Sequence, residues 1–392
     1  MPWGMKYRMH RRAGEEFALD KSRRRGYNIE KLKARRILML QELLLEKRLP
    51  ALPPLTDAAA RDAARRLLAE HEYGVTPAFA GTVSSFTEYE EAACGGAAVR
   101  QRIRLTFPTP GGLFSFPFQL LLPKDREKIP IFVHICFAGD SRRTTTGNGI
   151  SEHVPEEEIL AAGYGLALLQ YEDVTSDNGT LDGLARAWPI DPAVGWGKIG
   201  MWAFAASRVL DHLLTRPQID PRRVSVSGWS RLGKTALWCG AQDERFSLVI
   251  SNESGCSGAA LTRGKVGEHV RDITSRFPFW FCRNYHAYAE REDALPFDQH
   301  LLLSLIAPRA LFVASAEEDS WADPHAEFLA AAAASPAYAA AGVDGLVTPD
   351  AWPAADAPLL DGRIGYWMRT GKHALLLSDW MTFIAFREKH GV

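Results

Sequence analysis

Ser230, Glu253, Asp319 and His373 stand in the chain in the order and with the residue types that acyl transfer requires. A serine hydroxyl is a poor nucleophile at neutral pH, so such chemistry needs a base, a carboxylate to orient that base, and donors for the oxyanion. Ser230 follows Val224-Ser-Val-Ser-Gly228, which reads as a buried strand, and precedes Arg231 to Gln242, which reads as a helix. A serine at such a strand-to-helix turn sits in a nucleophile elbow, with the helix N-terminus and its unpaired N–H groups aimed at developing negative charge. The general G-x-S-x-G spacing is not met: Leu232 stands where the second glycine is expected, and Gly233 comes one residue later. Alone, G-x-S is more often a structural turn, so the weight rests on the partners.

Hydrolases of the α/β type place an acid after a later strand and a histidine near the end of the chain. Glu253 follows the apolar run Leu248 to Ser251, and Asp319 follows Leu311 to Ala314, so two carboxylates are open for the role. His373, in Gly371-Lys-His373 ahead of a C-terminal helix expected over Ser378 to Lys389, is the natural base. His300 precedes the last core strand expected and reads as structural.

Stepping from these residues to what must hold them, short apolar runs suggest strands at 118–122, 131–137, 165–171, 224–227, 248–251 and 311–314. Helical patterns lie between them, including Ile199 to Leu214 and the Ala-rich stretch 326–341. Mostly continuous apolar strands alternating with helices imply an α/β fold with a mostly parallel sheet covered on both faces. Ahead of it, Ile29 to Leu44 has the apolar spacing of an amphipathic helix ended by Pro50, Pro53 and Pro54. The expected organisation is an N-terminal helical arm over residues 1–60 and a catalytic domain over 61–392.

The chain has 392 residues, 46% of them hydrophobic, which is enough for one large core. The formal net charge of -1 gives no reason to expect a nucleic-acid or membrane partner. Residues 1–50 hold 14 Lys and Arg against 6 Asp and Glu, so a basic arm precedes an acidic body. Five cysteines without metal-ligand spacing suggest neither disulfides nor a metal site. The apolar stretch Ile37 to Leu40 is broken by Gln41 and Glu42, so no signal peptide or membrane span is expected and the location expected is cytoplasmic.

The segment Gly228-Trp-Ser-Arg-Leu-Gly-Lys234 resembles the G-C-S-R-x-G-K signature of glucuronoyl esterases, carbohydrate esterases (family 15) that cleave esters of 4-O-methyl-glucuronic acid on xylan. The resemblance continues through Asn252 to Ala260, Phe277 to Cys282, Leu295 to His300, Leu305 to Arg309, Asp319 to Pro324 and Gly371 to His373, and is closest to the bacterial branch. It implies the α/β-hydrolase fold, Ser230 as nucleophile, His373 as base, and Glu253 or, as in bacterial relatives, Asp319 as the acid. It implies further that Arg231 helps to hold the oxyanion, that Lys234, Glu268 and Trp321 contact the uronate, and that no metal or cofactor is needed. The substrate implied is a small-molecule or oligosaccharide ester.

Each residue has a plainer reading: an ordinary salt bridge for Arg231, a surface lysine for Lys234, a solvated helix residue for Glu268, a core tryptophan for Trp321. Trp229 replaces the family's usual cysteine, and Trp367 stands where bacterial relatives often have histidine. Two rival readings stand beside the glucuronoyl esterase: an acetyl xylan esterase, and a silent hydrolase scaffold that binds a carbohydrate or a protein. The oligomeric state is left open.

Overall fold

A computed structural model describes residues 39–124, 126–138, 144–146, 149–151, 153–188, 190–191, 194–349 and 352–392. Most of the expected helix from Ile29 to Leu44 falls outside these residues; residues 39–46 are helical. Residues 49–347 and 354–392 form one compact unit. The boundary expected at residue 60 is not where the structure divides, because it cuts the helix Ala58–Leu68, whose N-cap Asp57 accepts from the Ala60 N–H.

Among the described residues, nine strands make one sheet: β1 (Ser84–Ala93), β2 (Ala98–Thr109), β3 (Gly112–Pro123), β4 (Ile129–Cys136), β5 (Gly165–Gln170), β6 (Ile219–Trp229), β7 (Leu248–Asn252), β8 (Ala310–Ala316) and β9 (Ile364–Arg369). Their spatial order is β1-β2-β3-β5-β4-β6-β7-β8-β9. The first three and the β3–β5 pair are antiparallel, and every pair from β5 to β9 is parallel. All six expected strands are present. Three were not foreseen: β1, exposed along nearly its whole length; β2, where buried Ile103, Leu105 and Phe107 alternate with Arg102, Arg104 and Thr106; and β9.

Helices cover both faces. Four matter here: α1 (Lys198–Leu213), α2 (Arg231–Gln242), α3 (Pro324–Ala340) and α4 (Leu377–His390). Trp380, Phe383 and Phe386 of α4 join Phe132, Ile250 and Phe312 in one apolar cluster. On the opposite face α2 sits so close to β7 that a Cβ at Gly240 would lie 2.2 Å from a Val249 methyl. The face expected of α1, from Ile199 to Leu213, is fully buried, and so is most of the rest of that helix. Among the described residues, no helix is long and apolar enough to cross a membrane.

Candidate active site

The parallel strands deliver their C-terminal ends to one edge of the sheet, where open α/β sheets form their sites. Ser230 follows β6, Glu253 follows β7, Asp319 lies in the loop after β8, and His373 in the loop after β9; these four strands are neighbours. The pairing continues past the strand ends: Ser230 N–H donates to Asn252 O (2.8 Å), Glu253 N–H to Ala314 O (2.7 Å) and Glu317 N–H to Arg369 O (2.9 Å). Residues that are distant in sequence are thereby held side by side by backbone.

Ser230 has φ 58° and ψ −127°, and as N-cap of α2 it makes no side-chain capping bond. A serine in that position normally caps its own helix; here the hydroxyl is left for other work. Glu253 also has a left-handed backbone, φ 48°. Strained backbone at two of the four residues is the kind of cost that functional sites carry.

His373 Nδ1 faces both acids, at 2.6 Å from Asp319 Oδ2 and 2.9 Å from Glu253 Oε2. Burial disfavours a charged ring, but the two carboxylates outweigh it and push His373 up to about 9. Burial alone would raise Asp319, yet the hydrogen bond and charge of His373 hold it below its ordinary value. The acids are mounted differently. Asp319 accepts one further bond, from Ala322 N–H (3.2 Å). Glu253, fully buried, accepts from Arg369 Nη2 (2.6 Å) and Ala374 N–H (2.8 Å). Arg369 Nη2 also donates to the carbonyls of Lys372 (2.5 Å) and Ala374 (2.8 Å), the residues flanking His373. Asp379 lies 3.4 Å from Arg369 Nε, and its burial pushes it up to about 7. The same trio, Glu253, Asp319 and His373, has the donor types of a metal site, with ligand atoms within 4.8 Å. Both carboxylates converge on the one ring nitrogen that orients the imidazole, so a metal there would have to displace its proton.

Trp229 contributes more than bulk. Its ring lies 5.1 Å from that of His373 at 32°, and its Nε1 reaches Glu253 Oε2 at 3.5 Å. Glu327 of α3, pushed up to about 8 by burial, accepts from Gly255 N–H (2.8 Å) and lies 2.5 Å from Ser315 Oγ, anchoring the turn after Glu253.

Arg231 forms an ion pair with Asp177, and its guanidinium lies 4.8 Å over Trp280 and 5.3 Å over Phe277. The salt-bridge reading is therefore present, with an acid that sequence reasoning did not single out. Lys234 is no surface lysine: it is buried, donates to the carbonyls of Ser254 and Cys256, and lies 3.7 Å from Glu268. Glu268 is not a solvated helix residue either, but a buried loop residue whose N–H donates to Trp321 O (3.0 Å). Trp321 is 44% exposed, which removes its core reading, and Arg276 lies 5.1 Å over its ring. His300 is buried against Pro50 O at 3.0 Å, away from these residues in the chain and in its bonding.

Of the missed residues, Arg369 carried a signal, since a cation closing an apolar strand needs an acid. Asp177, in the polar turn Thr175-Ser-Asp-Asn-Gly179, carried none.

The fungal glucuronyl esterase family matches residues 161–342, a span that includes Ser230, Glu253 and Asp319 and stops short of His373. A carbohydrate esterase, MZ0003, from an unknown prokaryotic organism is 38% identical over 365 residues, covering 84% of each chain. A 4-O-methyl-glucuronoyl methylesterase of Podospora anserina is 40% identical, over 32% of this chain and 28% of its own. Among solved structures, a promiscuous family 15 carbohydrate esterase from a marine bacterial metagenome superposes with a TM-score of 0.77 at 34% identity, covering 88% of this chain and 98% of that one. A glucuronoyl esterase from Solibacter usitatus gives 0.77 and 34%, covering 87% and 97%.

Proposed function

The chain belongs to the glucuronoyl esterases of carbohydrate esterase family 15, and from that premise we propose that it hydrolyses esters of (4-O-methyl-)glucuronic acid by two-step acyl transfer on Ser230. It is a carboxylic-ester hydrolase with the α/β-hydrolase fold. The observation that carries the mechanism is His373 Nδ1 bound by Asp319 and Glu253 at the sheet edge that presents Ser230. His373 takes the Ser230 proton through its other nitrogen as the hydroxyl attacks the ester carbonyl. The oxyanion is held by Arg231 and by N–H groups at the start of α2; a preorganised donor of this kind is worth roughly 2.7 to 4 kcal/mol. His373 then protonates the leaving alcohol and activates water against the acyl-enzyme.

For the sugar, we assign ring stacking to the exposed face of Trp321 and hydroxyl contacts to Glu268 and Lys234. Two of the three Lys234 N–H groups are taken by carbonyls and Glu268 Oε2 lies 3.7 Å from Nζ, so this pair presents both a donor and an acceptor. The substrate class is a small-molecule or oligosaccharide ester.

A similar structure described as a promiscuous esterase favours one second reading, breadth toward acetyl esters. The test is alcohol release from benzyl D-glucuronate beside acetate release from acetylated xylo-oligosaccharides. Faster turnover of the glucuronate supports the proposal. Faster acetate release overturns it.

A further inference from the structure

An arginine serves as an oxyanion donor only if it is held in place before the charge develops, because its free side chain has about 2 kcal/mol of rotamer entropy to lose. Arg231 is the first residue of α2, and its side chain is 28% exposed, so helix geometry alone does not fix the head group. What fixes it comes from two other parts of the chain. Phe277 and Trp280, stacked on each other at 3.9 Å and 3°, flank the guanidinium, which lies 5.3 Å and 4.8 Å from their ring centroids. Asp177, 6% exposed, takes Arg231 Nη1 on Oδ2 and so sets its rotation beside those rings.

Asp177 is itself fully engaged. Trp280 Nε1 donates to Oδ1 (2.6 Å), and the Tyr171 hydroxyl donates to Oδ2 (3.0 Å). Three donors share one carboxylate, so the acid aligns the guanidinium without absorbing all of its positive field. The loop carrying Asp177 is built to stay: Lys198 Nζ donates to Ser176 O (2.6 Å) and Thr180 O (2.8 Å), and Asp182 Oδ1 accepts from Thr175 Oγ1 (2.8 Å) and Ser176 N–H (3.0 Å). Arg231 Nε, meanwhile, has no hydrogen-bond partner among the described residues, an N–H left over at the residue next to the nucleophile.

We infer that Asp177, presented from the loop after β5 and braced by Trp280 and Tyr171, is the positioning residue that pre-aligns the Arg231 guanidinium for the oxyanion formed at Ser230. The inference rests on the reading of Arg231 given above and adds a residue that does not touch the substrate.

The test follows phosphonylation of Ser230 by a fluorophosphonate, a probe that develops charge on oxygen without needing the sugar, together with kcat and KM on benzyl D-glucuronate. Asp177→Asn is expected to slow labelling and to lower kcat by about 10- to 100-fold, with KM changed less than about threefold. The double variant Asp177→Asn/Arg231→Ala is expected to lose no more than Arg231→Ala alone, because the acid acts through the arginine. Trp280→Phe keeps an aromatic ring beside the guanidinium but removes the N–H from Asp177, and is expected to lower kcat about threefold to tenfold. A labelling rate for Asp177→Asn equal to the parent's, or losses that multiply in the double variant, overturns the inference. Should Asp177→Asn not fold, an unchanged kcat in Trp280→Phe overturns it instead. A parent protein left unlabelled at Ser230 sinks the serine mechanism and this inference with it; a labelled parent with an unaffected Asp177→Asn sinks only this inference.

Discussion

One ring nitrogen of His373 serves two carboxylates, and this sharing sets the pH at which the site works. With His373 pushed up to about 9, the ring is mostly imidazolium at neutral pH and cannot take the serine proton. The neutral ring is the base, so kcat/KM should rise about tenfold per pH unit until the ring has titrated. Asp319→Asn removes a charge favouring imidazolium, so the acidic limb should move to lower pH; a limb that does not move contradicts this account of the raised ring. The two acids should also separate by stability. Glu253→Ala leaves Arg369, 3% exposed, without its closest anion and should cost about 3 kcal/mol in urea unfolding. Asp319→Ala, whose partner His373 is 38% exposed, should cost less than about 1 kcal/mol. Each single change should leave partial activity and the double change should remove most of it. Equal stability losses would show that Glu253 has no anchoring role. Ser230, the two acids and His373 were legible because type and order suffice to find them. Asp177 was not, and Arg369 signalled only that some acid must meet it, since a buried ion pair is a relation between distant residues that one sequence does not display.

At the scale of elements, the elbow explains why its second glycine is displaced. A Cβ at Gly228 would lie 2.1 Å from the backbone oxygen of Leu232, an overlap no side-chain movement can relieve. At Gly233 the nearest atoms would be Ser254 Cβ at 3.0 Å and Asn252 O at 3.1 Å, so this is where α2 runs closest to the turn bearing Glu253. Leu232, by contrast, is a fully buried packing residue. The glycine belongs wherever the helix touches its neighbour, and here that is one residue later. Gly233→Ala should fold with a loss of about 1 to 3 kcal/mol and reduced activity, whereas Gly228→Ala should give no folded protein. Thermal melting of both checks this, and a Gly228→Ala protein melting with the parent would contradict it. Apolar runs revealed five of the six parallel strands because both faces are buried; β9, although buried throughout, was missed. The strand β1 escaped because neither face is buried, and β2 because its buried residues alternate with arginines and a threonine instead of forming an apolar run.

For the molecule as a whole, the sheet gathers loops from β5 to β9 at one edge, and the residues given roles here stand in or beside those loops. The family was legible from short motifs because they are the parts of the chain that touch one another at that edge. The N-terminal arm lies mostly outside the described residues, and its apolar spacing says that a helix forms and nothing about what it meets. What unites the account is attack by Ser230 on a glucuronate ester, and kcat/KM for benzyl D-glucuronate in the parent and in Ser230→Ala measures it most directly. Ready turnover by the parent is expected, with a loss of at least about a thousandfold in a variant that melts at the parent's temperature or above, since the strained residue is retained only for its hydroxyl. Turnover by Ser230→Ala within about tenfold of the parent would contradict it.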